Sequence, residues 1–170
     1  MGVLYDYFSA PDDAAAAAVI DRDAGPGGTG AWAPSGGGFF GRRQQQAPAG
    51  PAYPTVADTG IDPVVQCGTL EELLTGRPYE DIEVDPRWGQ ALAIRDEGEQ
   101  LVLTLTDALV DALARAQADQ LASVAVPWSK TKEFWGTGDP AALTSFLIDM
   151  SATAKDARTR GETLYCWVCV

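Results

Sequence analysis

The side chains best suited to chemistry in this chain are two thiols near its end, Cys166 and Cys169, spaced as Cys-x-x-Cys in LYCWVCV. Such a pair acts as a redox centre where a strand gives way to a helix, because the helix N-terminus lowers the thiol pKa. Here only Val170 follows, and no such helix is expected. A zinc site needs four ligands, and Cys67 is the one remaining cysteine. The stretch itself is β-branched and aromatic, which predicts a strand. Along a strand, residues three apart face opposite ways, so Cys166 shares a face with Leu164 and Val168, and Cys169 shares the other with Tyr165 and Trp167. That places the sulfurs about 10 Å apart, beyond disulfide reach. Two structural cysteines in a strand apolar on both faces are the expectation.

The chain has no histidine. Ser-His-Asp and Cys-His dyads, His-ligated zinc and imidazole acid–base chemistry therefore drop out. Catalysis would have to rest on carboxylates, lysine, tyrosine or cysteine. Several acids are adjacent: Asp12 with Asp13, Glu71 with Glu72, and Glu80 with Asp81. At helix starts such anions complement the dipole, and capping accounts for them. Asp6 interrupts the apolar, aromatic run between Tyr5 and Tyr7, where a buried carboxylate would need a partner or a shifted pKa. It is expected on the exposed face of an edge strand. Trp88, Trp128 and Trp135, with Phe134 and Tyr79, either line a groove for a small ligand or fill the core beside helix ends. Ser129-Lys130-Thr131-Lys132 lacks the glycines of a phosphate loop. No catalytic residue, metal site or cofactor is predicted.

Positioning these residues requires an α+β arrangement. Residues 3 to 8 read as a strand, followed by a helix that Ser9 and Asp12 frame as a capping box and that stops near Asp23. From about 24 to 54 a Gly- and Pro-rich stretch without apolar periodicity predicts a long loop inserted into a single domain. Gly25 to Gly30 matches G-x-G-x-x-G in letters, yet a helix precedes it and low complexity follows, so no nucleotide site is expected. Trp32, Phe39, Phe40 and Tyr53 punctuate the loop and predict that parts of it dock on the body or on a partner. Order returns at Ile61, and Thr69 with Glu72 frames a second capping box before a short helix closed by Gly76. Residues 88–95 and 99–105 predict a hairpin turning at Asp96-Glu97-Gly98. Thr106 caps a helix carrying Leu109, Val110, Leu113 and Ala116 at helical spacing. A helical piece over 119–126 and another over 128–135 follow, the second ending at Gly136. Asp139 and Pro140 open the longest helix, whose seam runs from Leu143 to Ala157 and which Gly161 ends. The closing strand starts at Glu162. The two terminal strands are expected to be sheet neighbours.

Size, composition and charge bound the function. One domain fits 170 residues, and a 46% hydrophobic content excludes wholesale disorder. No apolar run reaches the roughly 18 residues a membrane span needs. The N-terminus lacks the basic lead-in of a secretory signal, so a cytoplasmic address is expected. A net charge of −12 repels phosphate backbones and anionic lipids, so neither nucleic acid nor membrane is an expected partner. It attracts a basic protein at low ionic strength.

The signals also resemble a known family. MGVLYDYF is similar to the MG-plus-aromatic start of small bacterial proteins related to YfbM, a domain family of unknown function. Leu70-Glu71-Glu72-Leu73-Leu74-Thr75-Gly76 resembles that family's helix ending in LLTG. Leu105-Thr106 with Ala108, Leu109, Ala112 and Leu113 looks like its strand-to-helix segment, and Arg160-Gly161-Glu162-Thr163-Leu164 looks like the junction before its final strand. Uncharacterised actinobacterial proteins that start MGV-x-x-DYF and end LYCW are more similar still. The resemblance covers about 130 residues outside the Gly/Pro insertion. It implies a mostly antiparallel sheet, including both terminal strands, against helices, and it brings no catalytic residues.

Taken together, these features lead to a non-enzymatic interaction module that binds a basic protein partner through its acidic surface and the 24–54 loop, an immunity-type or inhibitor role against a cationic toxin being one instance. Two alternatives stand beside it. One is a small-ligand binder or carboxylate-based hydrolase built on Trp88, Trp128 and Trp135 with Asp6 or Asp139. The other is a structural assembly component.

Overall fold

The computed structural model describes residues 2–22, 24–28, 52–58 and 60–170. Five strands form one antiparallel sheet: β1 (Leu4–Ala10), β2 (Thr55–Asp58), β3 (Ala91–Arg95), β4 (Gln100–Thr104) and β5 (Thr163–Cys169), in the order β2-β1-β5-β4-β3. Among the described residues six helices accompany them: α1 (Asp13–Ala17), α2 (Val65–Thr75), α3 (Tyr79–Ile82), α4 (Asp107–Arg115), α5 (Ala118–Trp128) and α6 (Pro140–Arg160). The protein is α+β, with the sheet packed against helices, and both terminal strands lie inside that sheet. β5 occupies the middle, between β1 and β4.

Alternation along the strands sorts two cores. Tyr7, Leu103, Leu164, Cys166 and Val168 point into the larger core, where α2, α4, α5 and α6 contribute Leu70, Leu109, Leu113, Leu121, Leu147 and Met150. Phe8, Ala10, Val102, Tyr165 and Trp167 face the other way, onto Ala16 and Val19 of α1 and the turn after it. Cys166 therefore sits in one core and Cys169 beside the other, and both are free thiols. Period-two alternation is enough to separate them.

Asp6 departs from expectation. β1 is an interior strand, flanked by β2 and β5, so Asp6 is not on a sheet edge. Its carboxylate is half-buried near Gly25 and Trp167, and burial raises its pKa. The edge is supplied by β2, for which no strand is expected between the 24–54 loop and Ile61.

Helix starts also differ in detail. Asp12, not Ser9, is the N-cap of α1, accepting from Ala15 N at 2.8 Å, while Ser9 stays in β1. α2 begins at Val65, a turn before the Thr69–Glu72 pair. Asp62 Oδ1 accepts from Val64 N and Val65 N at 2.8 and 2.9 Å and does the capping. Thr106 and Asp139 cap α4 and α6 as expected, and Gly76 and Gly161 close α2 and α6 in the left-handed conformation. α5 runs through Pro127 to Trp128, and only a short 3-10 turn, Lys132–Phe134, follows. Among the described residues, no helix is long and apolar enough to cross a membrane.

Candidate functional site

Three of the sequence-predicted aromatic residues have separate fates. Trp128 is fully buried; its Nε1 donates to Gln66 O at 3.0 Å, and its ring meets Phe134 edge-on at 5.2 Å. It presents no surface to a ligand, because it anchors the end of α5 to α2. Trp88 is half-buried. Trp135 is 88% exposed. Trp32, Phe39 and Phe40 lie outside the described residues.

Trp88 belongs to a corner built on α2. Its ring meets Tyr79 at 6.2 Å and 83°, an edge-to-face pair. Gly68 makes room for it: a Cβ there would stand 2.9 Å from the Tyr79 ring and 3.1 Å from Trp88 Nε1. The segment after α2 is pinned from beneath. Glu71 is buried and accepts from Thr106 Oγ1, the N-cap hydroxyl of α4, and from Arg77 Nη1 at 3.2 Å. Arg77 also donates to Asp85 Oδ2 at 3.0 Å and to Asp81 O at 2.7 Å. One guanidinium thus holds residues 77 to 85 in a fixed arc, from which Tyr79 projects. Burial raises the Glu71 pKa, with Thr106 and Arg77 acting against it. Arg77 is the counter-charge that makes a carboxylate tolerable there.

Around Tyr79 the field is negative. Burial raises its phenol pKa first, and the carboxylates of Glu133, Glu83, Asp62 and Glu72 raise it further. These four acids come from four segments, Glu133 from the 131–138 loop. Lys132 on that loop and Lys130 just before it are exposed.

The loop is tied to itself. Trp135 N donates to Lys132 O at 2.9 Å, Gly136 N to Thr131 O at 3.1 Å, and Gly138 N to Ser129 O at 3.0 Å. Gly138 passes so near Ser129 that a Cβ would lie 2.9 Å from its carbonyl oxygen. Phe134 turns in onto Trp128, and Trp135 turns out. To do so Trp135 adopts a left-handed backbone with φ 49°, which a bulky residue rarely takes.

Other charged groups serve the frame. Asp139 Oδ1 accepts from Ala141 N at 2.9 Å as the α6 cap. Asp13 receives Arg87 at 3.1 and 3.2 Å and the Tyr165 hydroxyl at 2.8 Å, fastening α1 to β5 and to the chain before β3. The thiols of Cys166 and Cys169 have their pKa raised by burial, opposite to the shift a nucleophilic thiol needs. Among the described residues, no group of three or more Cys, Asp or Glu is placed to hold a metal ion.

The chain matches no protein-family model, and comparison with the curated proteins and with the solved structures finds no similar protein. The site must be read from its own geometry.

Proposed function

We propose that the protein is a non-enzymatic binding module that receives a basic segment of a protein partner, with the exposed Trp135 and the acids around Tyr79 as its binding groups. Trp135 carries this reading. An indole left 88% exposed, on a backbone conformation that costs about 1–2 kcal/mol for a non-glycine residue, contributes nothing to the core. Tryptophan is over-represented among residues that dominate binding energy at interfaces. The acids around Tyr79 supply a field that favours lysine or arginine, whose side chains also pack on aromatic faces. A net charge of −12 speeds encounter with a cationic protein. An immunity or inhibitor role in the cytoplasm suits these properties, as does membership of the YfbM-like family. That family's motifs would coincide with β1, the Gly76 cap of α2, the Thr106 cap of α4 and the Gly161 cap of α6.

Capture of partners from a native lysate at low and high salt tests the reading with two variants. Trp135→Gly relieves the left-handed strain, so stability should hold or rise while capture falls at least about tenfold. Glu133→Lys should weaken capture most at low salt. Capture that neither substitution alters, or no captured protein at any salt concentration, overturns it.

A further inference from the structure

The exposed edge of the sheet at β2 offers a second and independent surface. Ser9 N donates to Pro54 O at 3.3 Å, and the register pairs Tyr7 with Val56 and Phe8 with Thr55. In an antiparallel ladder a residue turns both its backbone groups to the same side, alternating along the strand. Pro54, Val56 and Asp58 therefore spend theirs on β1, and Thr55 and Ala57 direct N–H and C=O outward. That edge opens on a groove of about 370 Å³, walled by Thr55, Val56 and Ala57 and by Asp149, Ala152 and Thr153 of α6. The small Ala152 side chain leaves room for another backbone. Among the described residues, no element pairs with this side of β2.

We infer that β2 accepts an extended, lysine- or arginine-bearing segment of a protein partner as a sixth strand lying in the β2–α6 groove. Four outward backbone groups give such a strand its ladder, the basis of β-strand addition. Charge selects the occupant. Asp149 is the one charged residue in the lining, and none of the six is basic. A second copy of this chain would set Asp149 close to its mate and oppose two bodies each of net charge −12. A cationic strand meets the same features as attraction.

Amide hydrogen exchange, read residue by residue on the full chain, tests this with a capped peptide of alternating lysine and valine. Adding the peptide should slow exchange at Thr55 and Ala57 at least about tenfold. A peptide of alternating glutamate and valine should not, nor should the lysine peptide with N-methylated backbone amides. Ala57→Pro removes one outward donor without touching the ladder to β1, and Asp149→Lys reverses the groove charge. Each should weaken the lysine peptide at least about tenfold, with the circular dichroism spectrum unchanged. The inference fails if no peptide binds, or if binding leaves both amides unprotected. It fails too if neither variant weakens binding. Protection without peptide overturns it as well: concentration-dependent protection would make the occupant a second copy, and concentration-independent protection would place it within the chain.

Discussion

Asp13 shows how single residues set the pH response. The Arg87 guanidinium and the Tyr165 hydroxyl hold its carboxyl below the ordinary carboxylate value. The folded chain therefore releases this proton at lower pH than the unfolded chain does. The resulting stability is complete above the ordinary aspartate value and is lost as pH falls through the folded one. Because the Asp13 side chain is half exposed, solvent screening keeps the contribution to about 1 kcal/mol or less. Wild type should melt above Asp13→Asn near neutrality, and the gap should close as pH falls below about 4, in a thermal unfolding series. A gap that persists at acid pH would assign the effect to lost hydrogen bonds alone. Asp6 and Glu71 act with the opposite sign, since burial raises both, so each withdraws stability as pH climbs from the ordinary carboxylate value to its folded one.

At the level of elements, the terminal strand is the clearest case of pattern determining structure. Alternation alone assigns Cys166 and Cys169 to different cores, and thiol labelling should report it. Cys169, half-exposed, should react slowly in the native protein, while Cys67 and Cys166 react only on unfolding. Mass spectrometry after mild alkylation should find one modified cysteine, and three under denaturant. Two thiols blocked together in the native state would mean the pleat does not separate them. Elements whose signals are local were legible: the hairpin through Asp96-Glu97-Gly98, the Thr106 and Asp139 caps, and the glycine stops at Gly76 and Gly161. Those set by distant partners were not. β2 is four residues long and exists because β1 pairs with it, so its Thr55-Val56 pair carries too little signal beside a Gly/Pro stretch. Asp6 was misplaced for the same reason, since an unseen β2 makes β1 look like an edge.

For the whole molecule, charge and the placing of tryptophans combine. Trp135 stands out in solvent two residues after Glu133, one of the acids that bear on Tyr79, whereas Trp128 and Trp167 are buried. The fluorescence difference between wild type and Trp135→Phe isolates the exposed indole. Relative to its effect on free tryptophan, caesium should quench that difference more than iodide does, with the preference fading as salt rises. Equal relative quenching by both ions would deny the local negative potential. Composition predicts the sign of that potential but not its focus, because Glu133 and Tyr79 lie far apart in the chain and only the fold makes the one bear on the other. The central position of β5 has a temporal consequence. Translation delivers β1, β2, β3 and β4 while the slot between β1 and β4 is still empty, and residues 163–169 arrive last to fill it. The nascent chain is thus held as two unjoined sheet fragments until synthesis passes Cys169, leaving a long interval in which a chaperone would find apolar strand faces to hold.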